Sequence, residues 1–118
     1  DTLTYYFENP DKLDEEFLEQ LRDALIKRFE YSIDVFVKYL RLYLIQHHGE
    51  EPTSPKSTIR KAFETGLLSD EETTTILDMI DSRNLTSHAY NKDLAEQISE
   101  EIPGYYEVMK MVVGRIEI

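Results

Sequence analysis

The chain has 118 residues, no cysteine, and 24 acidic against 13 basic side chains for a net charge of −11. That length fits one domain, 1–118, with room for a core, and the missing cysteines exclude disulfides, thiolate metal sites and a cysteine nucleophile. The charge repels phosphate backbones and anionic lipid at long range, which disfavours DNA binding and broad nucleic-acid coating but leaves room for a few cations converging in a cleft.

No run of about 18 apolar residues is present for a membrane span, and the N-terminus is acidic and aromatic where a signal peptide is basic and then apolar. A cytoplasmic protein is expected. Four glycines and four prolines fall between periodic segments, as in helices punctuated by short turns. Residues 1–10 read as the remnant of an earlier helix. From Leu13 to His48, the positions Leu18, Leu21, Leu25, Phe29, Ile33, Phe36, Leu40 and Leu44 step by three or four, predicting one long helix ended by Gly49. Val35, Val37, Tyr39, Leu42 and Tyr43 widen the stripe, so this helix is expected to meet more than one neighbour. His47 and His48 sit in its last turn, where positive charge suits the exposed carbonyls; adjacent histidines point to different sides, and no metal site is expected of them.

Ser54 is placed to cap a helix with Pro55 at its first position and Ile59 and Phe63 on its buried face, closed by Gly66. Ser69 and Glu72 form a Ser-x-x-Glu capping box before a helix whose face is Ile76 and Ile80. Asn91 caps a further helix through Leu94 and Ile98, which Pro103 and Gly104 kink or restart before a last segment carrying Tyr105, Val108, Met109, Val112 and Ile116. Short connections favour antiparallel neighbours, so the expected fold is an all-α up-and-down bundle of four or five helices.

Arg83 follows Ile80 by three residues and Ile76 by seven, in phase with the apolar stripe, so its guanidinium needs a partner or a task. Asp34 and Asp81 are the candidate counter-ions, and a structural ion pair would satisfy Arg83 without any chemistry. His88 lies five residues further on, about 140° around an unbroken helix. Asn84, Thr86 and Ser87 compete for backbone hydrogen bonds, and a helix end among them would let both side chains serve one pocket.

The stretch Asp78 to Tyr90, reading Asp-Met-Ile-Asp-Ser-Arg-Asn-Leu-Thr-Ser-His-Ala-Tyr, resembles the signature Arg-x4-His of the HEPN superfamily, with its extension Arg-x4-His-x-Tyr. The segments Ile26 to Tyr43 and Ser54-Pro55 through Ile59-Arg60, Ala62-Phe63 and Gly66-Leu67 are similar to the nucleotidyltransferase substrate-binding proteins, or HepT-like toxins, within it. The resemblance covers nearly all the chain after residue 13. It implies a homodimeric, metal-independent endoribonuclease of a toxin–antitoxin pair that needs no cofactor. Two signature motifs would face each other across the dimer. His88 would act as general base toward a ribose 2′-hydroxyl and Arg83 as phosphate clamp, with Asn84 orienting the phosphate or the imidazole. The leaving 5′-oxygen would take its proton from the second subunit's His88. Tyr90 would accept AMP from a cognate minimal nucleotidyltransferase, the antitoxin, and the added charge and bulk would shut out RNA. Without that implication, Tyr90 reads as a helix-start aromatic with a wet hydroxyl.

Two other functions fit the same residues. In one, the bundle is a non-catalytic partner subunit that presents substrate to, or is modified by, a nucleotidyltransferase, which the acidic charge favours. In the other it is a structural helical dimer whose motif residues form ion pairs. Lys92, Arg60, Lys61, Lys110 and Arg115 are the cations expected to be available for an anionic ligand.

Overall fold

The long periodic segment forms α1, Pro10–His48, whose 39 residues span about 58 Å at 1.5 Å per residue. This accounts for the 61 Å long axis of a molecule only 24 by 22 Å across. The computed structural model describes residues 8–116. Among these, α1 is followed by α2 (Pro55–Glu64), α3 (Asp70–Leu85), a 3-10 turn at Thr86–His88, and α4 (Lys92–Arg115), and no strand occurs. The expectation of an earlier helix falls mainly on residues 1–7, outside the described residues.

Local chemistry places the helix ends. Gly49 takes φ 64°, the left-handed conformation that ends α1, and its N–H returns to the Ile45 carbonyl. Ser54 caps α2 by a reciprocal box in which its hydroxyl accepts from the Ser57 N–H and the Ser57 hydroxyl accepts from the Ser54 N–H. The Ser69–Glu72 box at the start of α3 is formed in the same way.

The core is built from Phe29, Ile33, Phe36, Leu40 and Leu44 of α1, Ile59 and Ala62 of α2, Ile76, Met79 and Ile80 of α3, and Ile98, Ile102, Met109 and Val112 of α4. Three sequence expectations are corrected. Leu18 and Leu21, expected in the buried stripe, are 55% and 50% exposed, because the first turns of α4 pass to one side of them and leave half of each side chain uncovered. On α2 the buried partner of Ile59 is Ala62, and Phe63 is turned outward. Of the kink or restart expected at Pro103, the restart does not occur: the last helix is continuous, since Ile98, Ile102, Met109 and Val112 share one stripe and their burial outweighs the single hydrogen bond that proline removes.

The helices joined by short connections, α2–α3 and α3–α4, run antiparallel: Lys56 meets Asp81 at 2.6 Å, and Ser82 donates to Glu101 at 3.0 Å. α1 and α4 run in the same sense. Lys92 meets Glu19 at 2.8 Å, Arg22 meets Glu96 at 3.3 Å, and Phe29 stacks on Tyr105 at 5.8 Å between ring centroids, in step along both helices. The loop after Gly49 turns back along α1, so that Thr53, Ser54 and Pro55 lie beside Val37 and Lys38.

Candidate functional site

The end of α3 is where the sequence motif takes shape. α3 stops at Leu85, where the Arg83 carbonyl accepts both from the Thr86 N–H and, at 2.7 Å, from the Thr86 hydroxyl. The turn continues through Ala89 N–H to the Thr86 carbonyl and Asn91 N–H to the His88 carbonyl, both 3.1 Å. Asn91 then accepts from the Leu94 N–H and caps α4. The expected break therefore exists, and Thr86 is its buried anchor while Ser87, His88 and Tyr90 stand exposed.

Arg83 is half-buried and turned toward α1. Its Nη2 lies 3.3 Å from Asp34 Oδ2, its Nε donates to Asp34 Oδ1 at 3.4 Å, and its Nη1 is 3.8 Å from Glu30. Nη1 also donates to the Thr86 hydroxyl at 3.5 Å. Of the two candidate counter-ions, Asp34 is the one in reach, and Asp81 is taken by Lys56. The fork geometry is bidentate, but the distances exceed the 2.7–2.9 Å typical of charge-assisted bonds, and both partners are solvated, so the pair contributes about 0–1 kcal/mol.

His88 packs edge-on to Tyr90, with ring centroids 6.1 Å apart and planes at 71°. Tyr90 is 85% exposed. Arg83 and His88 share no hydrogen bond: Arg83 turns to α1, and His88 to Tyr90. Asn84 is exposed and has no side-chain partner among the described residues.

Tyr90 also lines a small cavity of about 180 Å³ with Arg22, Lys92, Glu19 and Asp23. There the Lys92 ammonium, hydrogen-bonded to Glu19, holds that carboxyl below the usual range, and the same contact raises Lys92. His47 and His48 lie at the far end of α1 against Tyr43, stacked at 4.9 Å and hydrogen-bonded at 3.4 Å. Among the described residues no group of three or more metal-ligating side chains is placed to hold an ion, and no helix is long and apolar enough to cross a membrane.

Sequence reasoning missed two cations. Lys38 and Arg41 line a cavity of about 340 Å³ with Asp34, Ser54, Ile80 and Arg83. Their signal is the step Asp34, Lys38, Arg41, one face of α1 at i, i+4 and i+7, and it points to a site only once Arg83 is known to face Asp34.

Compared with known proteins, residues 3–117 match the family model described as nucleotidyltransferase substrate binding protein like. The chain belongs to this family. The match spans the helix end at Leu85, so the Arg83-to-Tyr90 stretch is part of the nucleotidyltransferase substrate-binding-like domain itself. A crystal structure from Thermus thermophilus is similar to it at 49% identity and a TM-score of 0.78, over 80% of this chain and 79% of that one. No curated protein matches.

Proposed function

We propose that the protein is a metal-independent endoribonuclease of the toxin type, working as a homodimer and silenced by a cognate nucleotidyltransferase that transfers AMP to Tyr90. The observation that carries the reading is the turn after Leu85, which sets His88 edge-on to Tyr90 on the exposed surface, five residues beyond a half-buried arginine. His88 takes the proton of a ribose 2′-hydroxyl while that oxygen attacks the adjacent phosphorus, and Arg83 neutralises charge on the phosphate oxygens. The 5′-oxygen leaves with a proton from the second subunit's His88, and the product is a 2′,3′-cyclic phosphate. Asn84 is free to donate to the phosphate.

Pairing of two chains has support in Leu18 and Leu21, apolar side chains half exposed beside the first turns of α4, at the motif end of the molecule. A second copy covering them would bring the two motifs close. For silencing, the Tyr90 oxygen attacks the α-phosphorus of ATP, loses its proton and expels pyrophosphate. AMP at that position lies against His88 and blocks it by bulk and charge.

The second reading, a non-catalytic partner subunit, is favoured by the net charge of −11 and by Arg83 resting on Asp34. Purified protein incubated with mixed RNA in EDTA, beside the His88→Ala variant, decides between them. The nuclease reading requires cyclic-phosphate ends from the native protein only, and absence of cleavage by both leaves the partner-subunit reading.

A further inference from the structure

On a chain with 24 carboxylates, three cations come together in one place. Lys38 and Arg41 on α1 and Arg83 on α3 line the same cavity of about 340 Å³, whose floor is apolar, formed by Ile33, Val37 and Ile80. Lys38 is exposed and has no carboxylate partner among the described residues. Arg41 reaches Glu51, at 3.5 Å on the surface, and Arg83 reaches Asp34 at 3.3 Å and Glu30 at 3.8 Å. Contacts of that length between solvated groups are weak, so a phosphate can displace them at small cost. Asp34 is the one carboxylate lining the cavity, against three cations.

We propose that this cavity binds the ribose–phosphate backbone of single-stranded RNA, with Arg83 on the phosphate of the cleaved bond and Lys38 and Arg41 on phosphates further along the strand. The assignment rests on the nuclease reading above and supplies the strand path that reading lacks. Lys38 and Arg41 lie about 6 and 10 Å along the axis of α1 from Asp34, given 1.5 Å per residue, so the three cations form a row rather than a point. A row on one helix suits an extended polyanion. Ile33, Val37 and Ile80 offer a sugar or base face a dry wall, which a cation cluster on open surface does not. The backbone carries no sequence information, so this row sets affinity and register and leaves sequence choice to groups elsewhere.

The test measures binding apart from cleavage. A short uridine oligonucleotide, 2′-O-methylated so that it cannot be cut, is titrated by fluorescence anisotropy against the native protein, Lys38→Ala, Arg41→Ala, the double variant, Arg41→Lys and the remote control Arg60→Ala, at several salt concentrations. Each single alanine change is expected to weaken binding three- to tenfold. The double variant is expected to lower the slope of log affinity against log salt by about 1.4, at roughly 0.7 per phosphate contact on a single strand. Arg41→Lys is expected to restore most of the affinity, and Arg60→Ala to change nothing. Circular dichroism melting confirms that the variants, all at exposed positions, remain folded. Unchanged affinity and slope in the double variant, no binding by the native protein, or tighter capture of an oligoglutamate than of the RNA overturns the proposal. Cleavage of unmodified RNA separates the two ideas. Cleavage with an unchanged KM in the double variant sinks the strand path and leaves the nuclease standing, whereas cation-dependent binding with no cleavage by the native protein does the reverse.

Discussion

The Arg83 guanidinium meets the Asp34 carboxylate side-on, Nε to Oδ1 at 3.4 Å and Nη2 to Oδ2 at 3.3 Å, across 49 positions of sequence. The contact is loose and solvated, so Asp34 orients Arg83 without contributing much to folding. Asp34→Asn keeps a hydrogen-bond acceptor and removes a negative charge from the cavity that holds Arg83, Lys38 and Arg41. The melting temperature is expected to move by no more than about 4 °C, while the KM for RNA falls about threefold by removal of like-charge repulsion. A drop of the melting temperature by 10 °C or more would show that the pair is structural after all.

His88 and Tyr90 are exposed, so their side chains can be changed without disturbing the core. His88→Ala is expected to lower cleavage about 10²- to 10⁴-fold, the range of a lost general base, with an unaltered melting curve. Tyr90→Phe is expected to keep cleavage and to abolish the mass gain of one AMP on incubation with the partner nucleotidyltransferase and ATP. AMP found on another tyrosine in that variant would remove Tyr90 from the regulatory scheme.

Acid sensitivity is expected to concentrate at one ion pair. Glu72 is bound by Nη1 and Nη2 of Arg115, accepts from the Ser69 N–H, and is only 15% exposed. The Arg115 hydrogen bonds, followed by the Ser69 backbone, hold its carboxyl at about 2, below its ordinary value of 4.5. A carboxyl lowered by folding stabilises the fold above its unfolded value and loses that contribution as the pH falls through its folded value. Glu72→Gln is therefore expected to cost about 2 kcal/mol near neutrality, with the gap to the native protein closing between pH 4.5 and 2. Urea midpoints at several pH values check this, and a gap constant with pH would contradict it.

Phe29 is fully buried and stacked on Tyr105, at the crossing of α1 and α4. Phe29→Ala leaves a void at the crossing of two helices. A loss of about 3–5 kcal/mol is expected from the shift in denaturant midpoint. Phe63→Ala, at a half-exposed position on α2, is expected to cost under about 1 kcal/mol.

What could be read in the sequence was local. The Ser54 and Ser69 caps, the left-handed glycine at 49 and the helix break after Asn84 each depend on residues within four positions of one another, and each is found where the spacing puts it. What could not be read depends on what arrives from elsewhere in the chain. Leu18 and Leu21 continue the apolar period of α1, but a period says which face a residue occupies and not whether another helix covers it. Pro103 carries a strong local signal against helix, and long-range burial on both sides overrides it. At the candidate site, the motif from Arg83 to Tyr90 was visible as a resemblance. Choosing Asp34 over Asp81, and gathering Lys38 and Arg41 beside Arg83, needed the packing of α3 on α1.

The shared direction of α1 and α4 governs how the protein reaches its fold. Contacts that join α1 to α4, Lys92 on Glu15 at the surface and Ser32 beside Tyr106, link residues 77 and 74 positions apart. A helical protein dominated by neighbours in sequence folds in microseconds to milliseconds, and closing loops this long before the contacts form slows the search. During synthesis, Phe29 therefore lacks its stacking partner Tyr105 until most of α4 has left the ribosome. Until α4 is made, the face of α1 that Phe29 turns toward it stands in water, a window in which a chaperone or a second chain competes with α4 for that face.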